Sequence, residues 1–430
     1  MHSSVRRVLH AVVASCAGAA VTAAALQGTA AAAPQDAPAP TQTPAPAPAQ
    51  PPGQDPFYQP PSPLPAGQPG DVIRSRPSLF TVDPAGHSPY AGVKSWQVLY
   101  RSQSATGAPA AVSGTVLVPD KPWTGAGKRP LVSYAVGTRG LGDACAPSYT
   151  LTQGLDYEEL FVIDALNQGW AVALTDMEGL GTPGQHTYEV GRSQGMAVLN
   201  MARAAERLPD AGLAGAPVAI KGYSQGGTSA GWAAELAKSY APDLDLKGVA
   251  AGGIPADLRA VAASLDGSPF VALMFMAAVG YDAAYPELKL DGYLNDNGRA
   301  LLAKAKDMCL VSFDGPATVL ETAFKKISDY TTTDPLNTPQ WQARLDENKL
   351  GSTAPSVPVF QGQALLDEII PAKQAETLDH DWCAKGANVT YKSYWIAEHA
   401  TGMLQSEGDM MSFLADRFAG KPVQGNCPAK

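Results

Sequence analysis

Lys221-Gly222-Tyr223-Ser224-Gln225-Gly226-Gly227 is the stretch on which the reading of this chain turns. A short apolar run, Pro217-Val218-Ala219-Ile220, enters it. A run rich in helix formers, Ser229-Ala230-Gly231-Trp232-Ala233-Ala234-Glu235-Leu236-Ala237-Lys238, leaves it. The order is strand, Gly-x-Ser-x-Gly turn, helix. A turn that sharp requires small flanking residues, and Gly222 and Gly226 supply them. It pushes the Ser224 hydroxyl out above the sheet. The first N–H groups of the helix behind it stay free to meet developing negative charge. These are the parts of a nucleophile elbow.

As a bare pattern the motif is weak, because Gly fills 42 of 430 positions and a second copy exists, Gly191-Arg192-Ser193-Gln194-Gly195. Context separates the two. His186-Thr187-Tyr188-Glu189-Val190, ahead of Ser193, is polar and not a buried-strand pattern, and residues 196–204 behind it are helical. Ser193 is therefore expected at the start of a crossover helix, with no nucleophile role.

Outward from the elbow, residues 95–102 and 111–118 alternate apolar and polar and read as two antiparallel strands joined near Gly107. Residues 130–136 and 169–176 are more continuous apolar runs, as in strands covered on both faces. Helical stretches at 160–167 and 195–207 alternate with them, and 246–252 reads as the next strand. That rhythm argues a parallel sheet. Gly137-Thr138-Arg139-Gly140-Leu141-Gly142 lies at a strand's C-terminal end, where open α/β sheets bind ligands, and a Gly-rich turn there can offer a backbone N–H to an oxyanion. From about 255 to 350 the rhythm breaks. Residues 269–279 are apolar nearly all round, so a helix there is buried or covers an apolar site. Its position makes the segment a helical cap over the site, with Met and Phe suited to acyl chains. Strands resume at 357–362 and 388–395, and a last helix runs from about 401 to 418.

An alcohol that attacks an ester needs a base working near neutral pH, hence His, and an acid to hold the correct tautomer. In α/β-hydrolases the chain order is Ser, acid, His. Of the six His, His2 and His10 lie at the N-terminus, and His87 and His186 precede Ser224. His380 falls in the acid-rich helical stretch Leu378-Asp379-His380-Asp381-Trp382 and reads as a solvated face residue. His399, in Ile396-Ala397-Glu398-His399-Ala400, follows a strand and leads into a helix. Among the acids, Asp367 leads Glu368, Asp379 and Glu398, because Asp367-Glu368-Ile369-Ile370-Pro371 follows a strand and Pro371 argues for a loop. The expected triad is Ser224, Asp367 and His399. The expected fold class is α/β, an α/β-hydrolase fold with a mostly parallel central sheet, helices on both faces and an inserted cap.

The net charge is −9, a poor match to nucleic acid or an anionic membrane. No Cys-x-x-Cys occurs and no His spacing suits zinc, so neither metal nor cofactor is expected. Residues 1–33 open with Arg6-Arg7, continue through small apolar residues and end in Ala30-Ala31-Ala32-Ala33, the pattern of a cleaved export signal with no stable transmembrane anchor. Val13-Ala14-Ser15-Cys16 resembles a lipobox, but lipidation at Cys16 would leave an unusually short apolar region. Residues 34–70, dense in Pro and Ala, read as a disordered linker, leaving 71–430 as the folded domain of a secreted protein. Cys145, Cys309, Cys383 and Cys427 remain, an even count that reads as two disulfides with three pairings open.

With these residues laid out, the chain resembles the secretory lipase family of fungi and actinobacteria. The resemblance runs from Asp55-Pro56-Phe57-Tyr58-Gln59-Pro60-Pro61 almost to Cys427. It includes Asp143-Ala144-Cys145-Ala146-Pro147-Ser148-Tyr149, the elbow, Cys309-Leu310, Asp367-Glu368-Ile369-Ile370-Pro371, Cys383-Ala384-Lys385-Gly386-Ala387-Asn388 and Ile396-Ala397-Glu398-His399. It implies serine esterase or lipase activity on lipid or ester substrates, without a metal, through Ser224, Asp367 and His399. It implies an oxyanion hole from the N–H groups of Gln225 and of a residue in 137–139, taken as Thr138. It also implies the pairings Cys145–Cys309 and Cys383–Cys427. The chain departs from the yeast members, which carry an acidic residue in the oxyanion loop and Gly after the serine.

Overall fold

The computed structural model describes residues 49–85, 88–311 and 314–428. The export signal with Cys16, the start of the Pro-rich segment and His87 lie outside the described residues.

Nine strands form one sheet: β1 (Val72–Pro77), β2 (Val93–Gln103), β3 (Pro109–Pro119), β4 (Leu131–Ala135), β5 (Ala171–Thr175), β6 (Val218–Tyr223), β7 (Leu246–Gly252), β8 (Val359–Ala364) and β9 (Val389–Tyr394). Their order is β1-β2-β3-β5-β4-β6-β7-β8-β9. β1, β2 and β3 are antiparallel, β3 meets β5 antiparallel, and from β5 to β9 every pairing is parallel. β4, β5, β6 and β8 are buried along their whole length. This accounts for their continuous apolar runs, since parallel strands are covered on both faces.

The helices are α1 (Pro147–Gln153), α2 (Glu159–Asn167), α3 (Gly191–Arg207), α4 (Gln225–Tyr240), α5 (Leu258–Leu265), α6 (Val271–Ala284), α7 (Asp296–Ala305), α8 (Asp314–Thr322), α9 (Pro339–Glu347), α10 (Ala372–Ala384) and α11 (His399–Phe418). Alternate sheet residues divide the core. Leu131, Ile220, Val249 and Val359 pack with α3, α4 and α10 through Val198, Ala233 and Trp382. Val132, Ala219, Ala250 and Phe360 pack on the other face with α1, α2 and α11 through Leu151, Val162 and Leu414. The α5–α9 segment has its own core, including Phe275, Met276, Tyr281, Leu301 and Trp341.

One sequence expectation needs correction, and one strand has no counterpart in the sequence reading. The linker was expected to reach residue 70, but within residues 49–70 Tyr58 is wholly buried, bonded to Ser148 Oγ at 3.0 Å and to the Gln97 side chain at 3.0 Å. Asp55 pairs with Arg76. Pro-rich composition hid a pair of aromatic residues, Phe57 and Tyr58, that bury enough apolar area to dock the segment. The sheet also gains β1, an edge strand that carries no strong alternation. The four described cysteines pair as Cys145–Cys309 and Cys383–Cys427, as the resemblance implies.

Candidate active site

β6 runs to Tyr223 and α4 begins at Gln225, so Ser224 alone makes the turn. Its φ is 59° and its ψ −124°, a backbone that non-Gly residues seldom adopt. The glycines on either side are fixed by lack of space. A Cβ on Gly222 would lie 2.2 Å from the Gly226 carbonyl oxygen, and one on Gly226 would lie 2.1 Å from that of Ala135.

His399 is the first residue of α11, and its ring reaches Ser224. Nε2 lies 2.9 Å from Ser224 Oγ, and Nδ1 lies 2.8 Å from Asp367 Oδ2. The Asp367 side chain is wholly buried and that of His399 nearly so. Asp367 Oδ1 accepts from the N–H groups of Ile369 and Ile370 at 3.0 and 2.7 Å, which folds 367–370 into a turn before α10 starts at Ala372. The other acids of that region have different tasks. Glu368 accepts from the His399 backbone N–H, and Glu398 caps α11 through the Ala400 and Thr401 N–H groups. The Tyr223 ring lies 5.3 Å from the imidazole, and its hydroxyl donates to the His399 carbonyl. His380 is exposed on α10.

Ser193 sits in the first turn of α3, buried, with its hydroxyl bonded to Glu178 and Thr187. No imidazole is among those partners, so the second Gly-x-Ser-x-Gly copy lacks the histidine base.

Both residues expected to supply the oxyanion hole lie beside Ser224. Gln225 is the first residue of α4, so its N–H has no intrahelical acceptor. Thr138 lines the same cleft as Ser224 and His399. Its hydroxyl pairs with Tyr188 OH at 2.9 Å and its carbonyl accepts from Tyr157 OH at 3.0 Å. The Gly137 N–H is occupied by Glu158 Oε1 at 3.1 Å. Arg139, which follows, points away into a buried ion pair with Asp156 at 2.7 Å, and its guanidinium stacks on Tyr157 at 4.0 Å. Burial alone would lower its pKa, but the neighbouring carboxylates raise it well above the usual arginine range.

Sequence order set His186 aside, yet it is wholly buried beside the elbow. Its Nε2 lies 3.0 Å from Gln225 Nε2 and its Nδ1 2.9 Å from the Glu178 carbonyl. An amide nitrogen only donates, so Nε2 accepts, Nδ1–H donates, and the imidazole is neutral. Burial lowers its pKa to about 4, consistent with that state. No local pattern marks this role, because it depends on the fold of the loop before α3.

From Ser224 two spaces open. One is the cleft towards Tyr157, Leu310, Val311, His399 and Met403. The other is an apolar chamber under α5, α6 and α9. α6 is both buried and part of the chamber wall. Phe275, Met276 and Val279 enter the core of the α5–α9 segment, while Leu273, Met274, Ala277 and Ala278 line the chamber. Among the described residues, Asp379, Cys383 and Cys427 come close enough together to hold an ion, but the two sulfurs are bonded to each other.

The secretory lipase family model matches residues 145–426. A probable inactive lipase of Mycobacterium tuberculosis is 34% identical over 86% of this chain and 83% of its own. A secreted triacylglycerol lipase of Malassezia furfur is 30% identical over 87% of this chain and 78% of its own. The crystal structure of Candida antarctica lipase A in its closed state superposes with a TM-score of 0.79 at 28% identity, covering 89% of each chain. With that superposition and the sheet order described above, the chain belongs to the secretory lipase family, ester hydrolases built on the α/β-hydrolase fold.

Proposed function

We propose that the protein is a secreted serine lipase or esterase that works through an acyl-enzyme on Ser224. The observation that carries this reading is the unbroken line Asp367–His399–Ser224, at 2.8 and 2.9 Å. His399 Nε2 takes the hydroxyl proton as Ser224 attacks the ester carbonyl. Asp367 orients the ring and stabilises the imidazolium. The N–H groups of Gln225 and Thr138 receive the oxyanion. His399 then returns the proton to the leaving alcohol, and water repeats the sequence to release the acid. The apolar chamber takes the acyl chain. The cleft on the other side of Ser224 receives the alcohol. Trp395, Ile396, Leu366 and Leu404 are 62–86% exposed in and beside the segment that carries His399. Large apolar side chains so placed suit contact with a lipid surface. Among the described residues no helix is long and apolar enough to cross a membrane.

A second reading is an idle hydrolase fold that binds lipid without turning it over, favoured by the word inactive in the name of the mycobacterial relative. A fluorophosphonate probe separates the two. Stoichiometric labelling of Ser224, with ester hydrolysis lost in Ser224→Ala, supports the enzyme. Lipid binding without labelling would establish the idle form.

A further inference from the structure

The chamber beside Ser224 is apolar over most of its wall, with residues such as Val261, Leu265, Met274 and Leu336. A plain hydrocarbon chain would need nothing else. Three of its lining residues nevertheless carry polar groups that the protein leaves without a partner. Glu189 is 4% exposed; one carboxyl oxygen accepts from Thr228 Oγ1 at 2.7 Å, and the other has no partner among the described residues. The Tyr281 hydroxyl and the Trp341 Nε1–H, both on residues 1% exposed, are unpartnered as well. A buried polar atom without a hydrogen bond costs free energy, and two of them, beside a carboxyl with one oxygen free, all lining one cavity, call for an occupant that answers them.

Glu189 is also held by an uncommon backbone, with φ at 59°. Its neighbour Tyr188 is pressed against α6, where a Cβ on Gly280 would lie 2.4 Å from the Tyr188 N and O atoms. The carboxyl is therefore fixed against the wall. Thr228, its partner, donates its own backbone N–H to the Ser224 carbonyl, one turn along α4. Glu189 is thus tied to the first turn of α4, and it lines the same chamber as the nucleophile.

Resting on the acyl-enzyme reading above, we propose that the chamber selects acyl chains that carry a hydroxyl group, with Glu189 as the specificity-determining residue. A hydroxyl donates one hydrogen bond to the free carboxyl oxygen and accepts from a donor such as Trp341 or Tyr281. An ammonium group fits worse, because it brings three donors and a full charge into a wall with one free acceptor. Burial pushes the Glu189 carboxyl up to about 7. The ionisable groups packed about it are Tyr188 and Tyr281, both raised far above their usual range by burial and so uncharged at neutral pH. Glu189 thus ionises alone, and its charged form is the stronger acceptor for a hydroxyl and the worse neighbour for bare hydrocarbon.

The test is a pH-stat comparison of methyl octanoate with methyl hydroxyoctanoates bearing the hydroxyl at successive carbons. Wild type is run beside Glu189→Met, Glu189→Gln and Ser224→Ala. The expected result is a preference in kcat/KM for at least one hydroxylated ester that falls about tenfold in Glu189→Met. In wild type that preference rises as pH passes through about 7, and in Glu189→Gln it stays flat. Taking the ratio of two substrates cancels any titration shared by the rest of the site. A ratio in Glu189→Met equal to wild type at every hydroxyl position overturns the proposal. If Glu189→Met does not fold, an equal rise with pH in wild type and Glu189→Gln overturns it instead. Retained hydrolysis in Ser224→Ala would sink the acyl-enzyme reading, and is told apart because it does not depend on which ester is used.

Discussion

At the scale of single residues, the site is a set of side chains whose neighbours permit only one placement. Asp367→Asn leaves a carboxamide where the imidazole needs an acceptor for Nδ1–H, favouring the wrong tautomer. We expect kcat to fall by about 10⁴-fold with the fold intact, checked by short-chain ester kinetics beside a thermal melt. His186 acts one step further out, through Gln225, whose N–H is the proposed oxyanion donor. His186→Phe keeps the ring volume but removes the acceptor for the Gln225 amide. The expected result is a loss of roughly tenfold in kcat with KM nearly unchanged, because the oxyanion contact forms in the transition state and not with the ground-state ester. A change confined to KM would show that His186 shapes the pocket instead. Ser224 could be found from local sequence because a sharp turn imprints small residues on either side of it. His186 and Glu189 could not, because their meaning comes from a loop burying them against α4 and the cap.

At the scale of elements, the loop carrying Thr138 is clamped between the sheet and the α5–α9 segment. Arg139 ties it to Asp156, and the Leu310 N–H donates to the Arg139 carbonyl at 2.8 Å. The Leu141 N–H donates to the Met308 carbonyl at 2.9 Å, and Cys145–Cys309 closes the same junction. The second disulfide, Cys383–Cys427, instead ties the C-terminal tail to the end of α10. Removing either pair by double Cys→Ser substitution should cost about 2–5 kcal/mol in urea unfolding. Only the loss of Cys145–Cys309 should also lower kcat, since only that bridge steadies the loop that carries Thr138, the proposed oxyanion donor. Arg139→Met leaves Asp156 and Glu158 buried without their cation, and should destabilise by about 3–5 kcal/mol in the same assay. The strands and the order of the candidate triad were legible because period and chain order are local properties. The docking of residues 49–70 was not, because two aromatic side chains outweigh the Pro-rich composition around them. The Arg139 cluster stayed hidden for a related reason. A charged residue in a Gly-rich loop reads as solvated until the carboxylates of another segment enclose it.

At the scale of the whole molecule, the groups around the site make stability depend on pH from opposite directions. His186 has its pKa lowered from 6.5 to about 4 by burial. Its unfolded form takes up a proton below 6.5 while the folded form does not, so its contribution is complete above 6.5 and is lost as pH falls towards 4. Glu189 has its pKa raised from 4.5 to about 7, also by burial. Its unfolded form is ionised above 4.5 while the folded form keeps its proton, so its contribution is complete below 4.5 and is lost as pH rises through 7. Each shift corresponds to about 3 kcal/mol across its window. Replacing either group with a non-titrating amide removes that dependence. Relative to wild type, Glu189→Gln should therefore gain stability as pH rises from 4.5 to 7, and His186→Gln should gain it as pH falls from 6.5 to 4. Urea unfolding of the three proteins over that range measures both slopes: two flat difference curves would show that neither buried group holds the protonation state assigned to it, and curves that slope the same way would show that one of them does not. The opposed slopes have a physical source in the elbow itself. A neutral imidazole on one side and a neutral carboxyl on the other both depend on exclusion of water around α4, so the burial that shapes the chamber beside Ser224 also sets the pH range in which the molecule is stable.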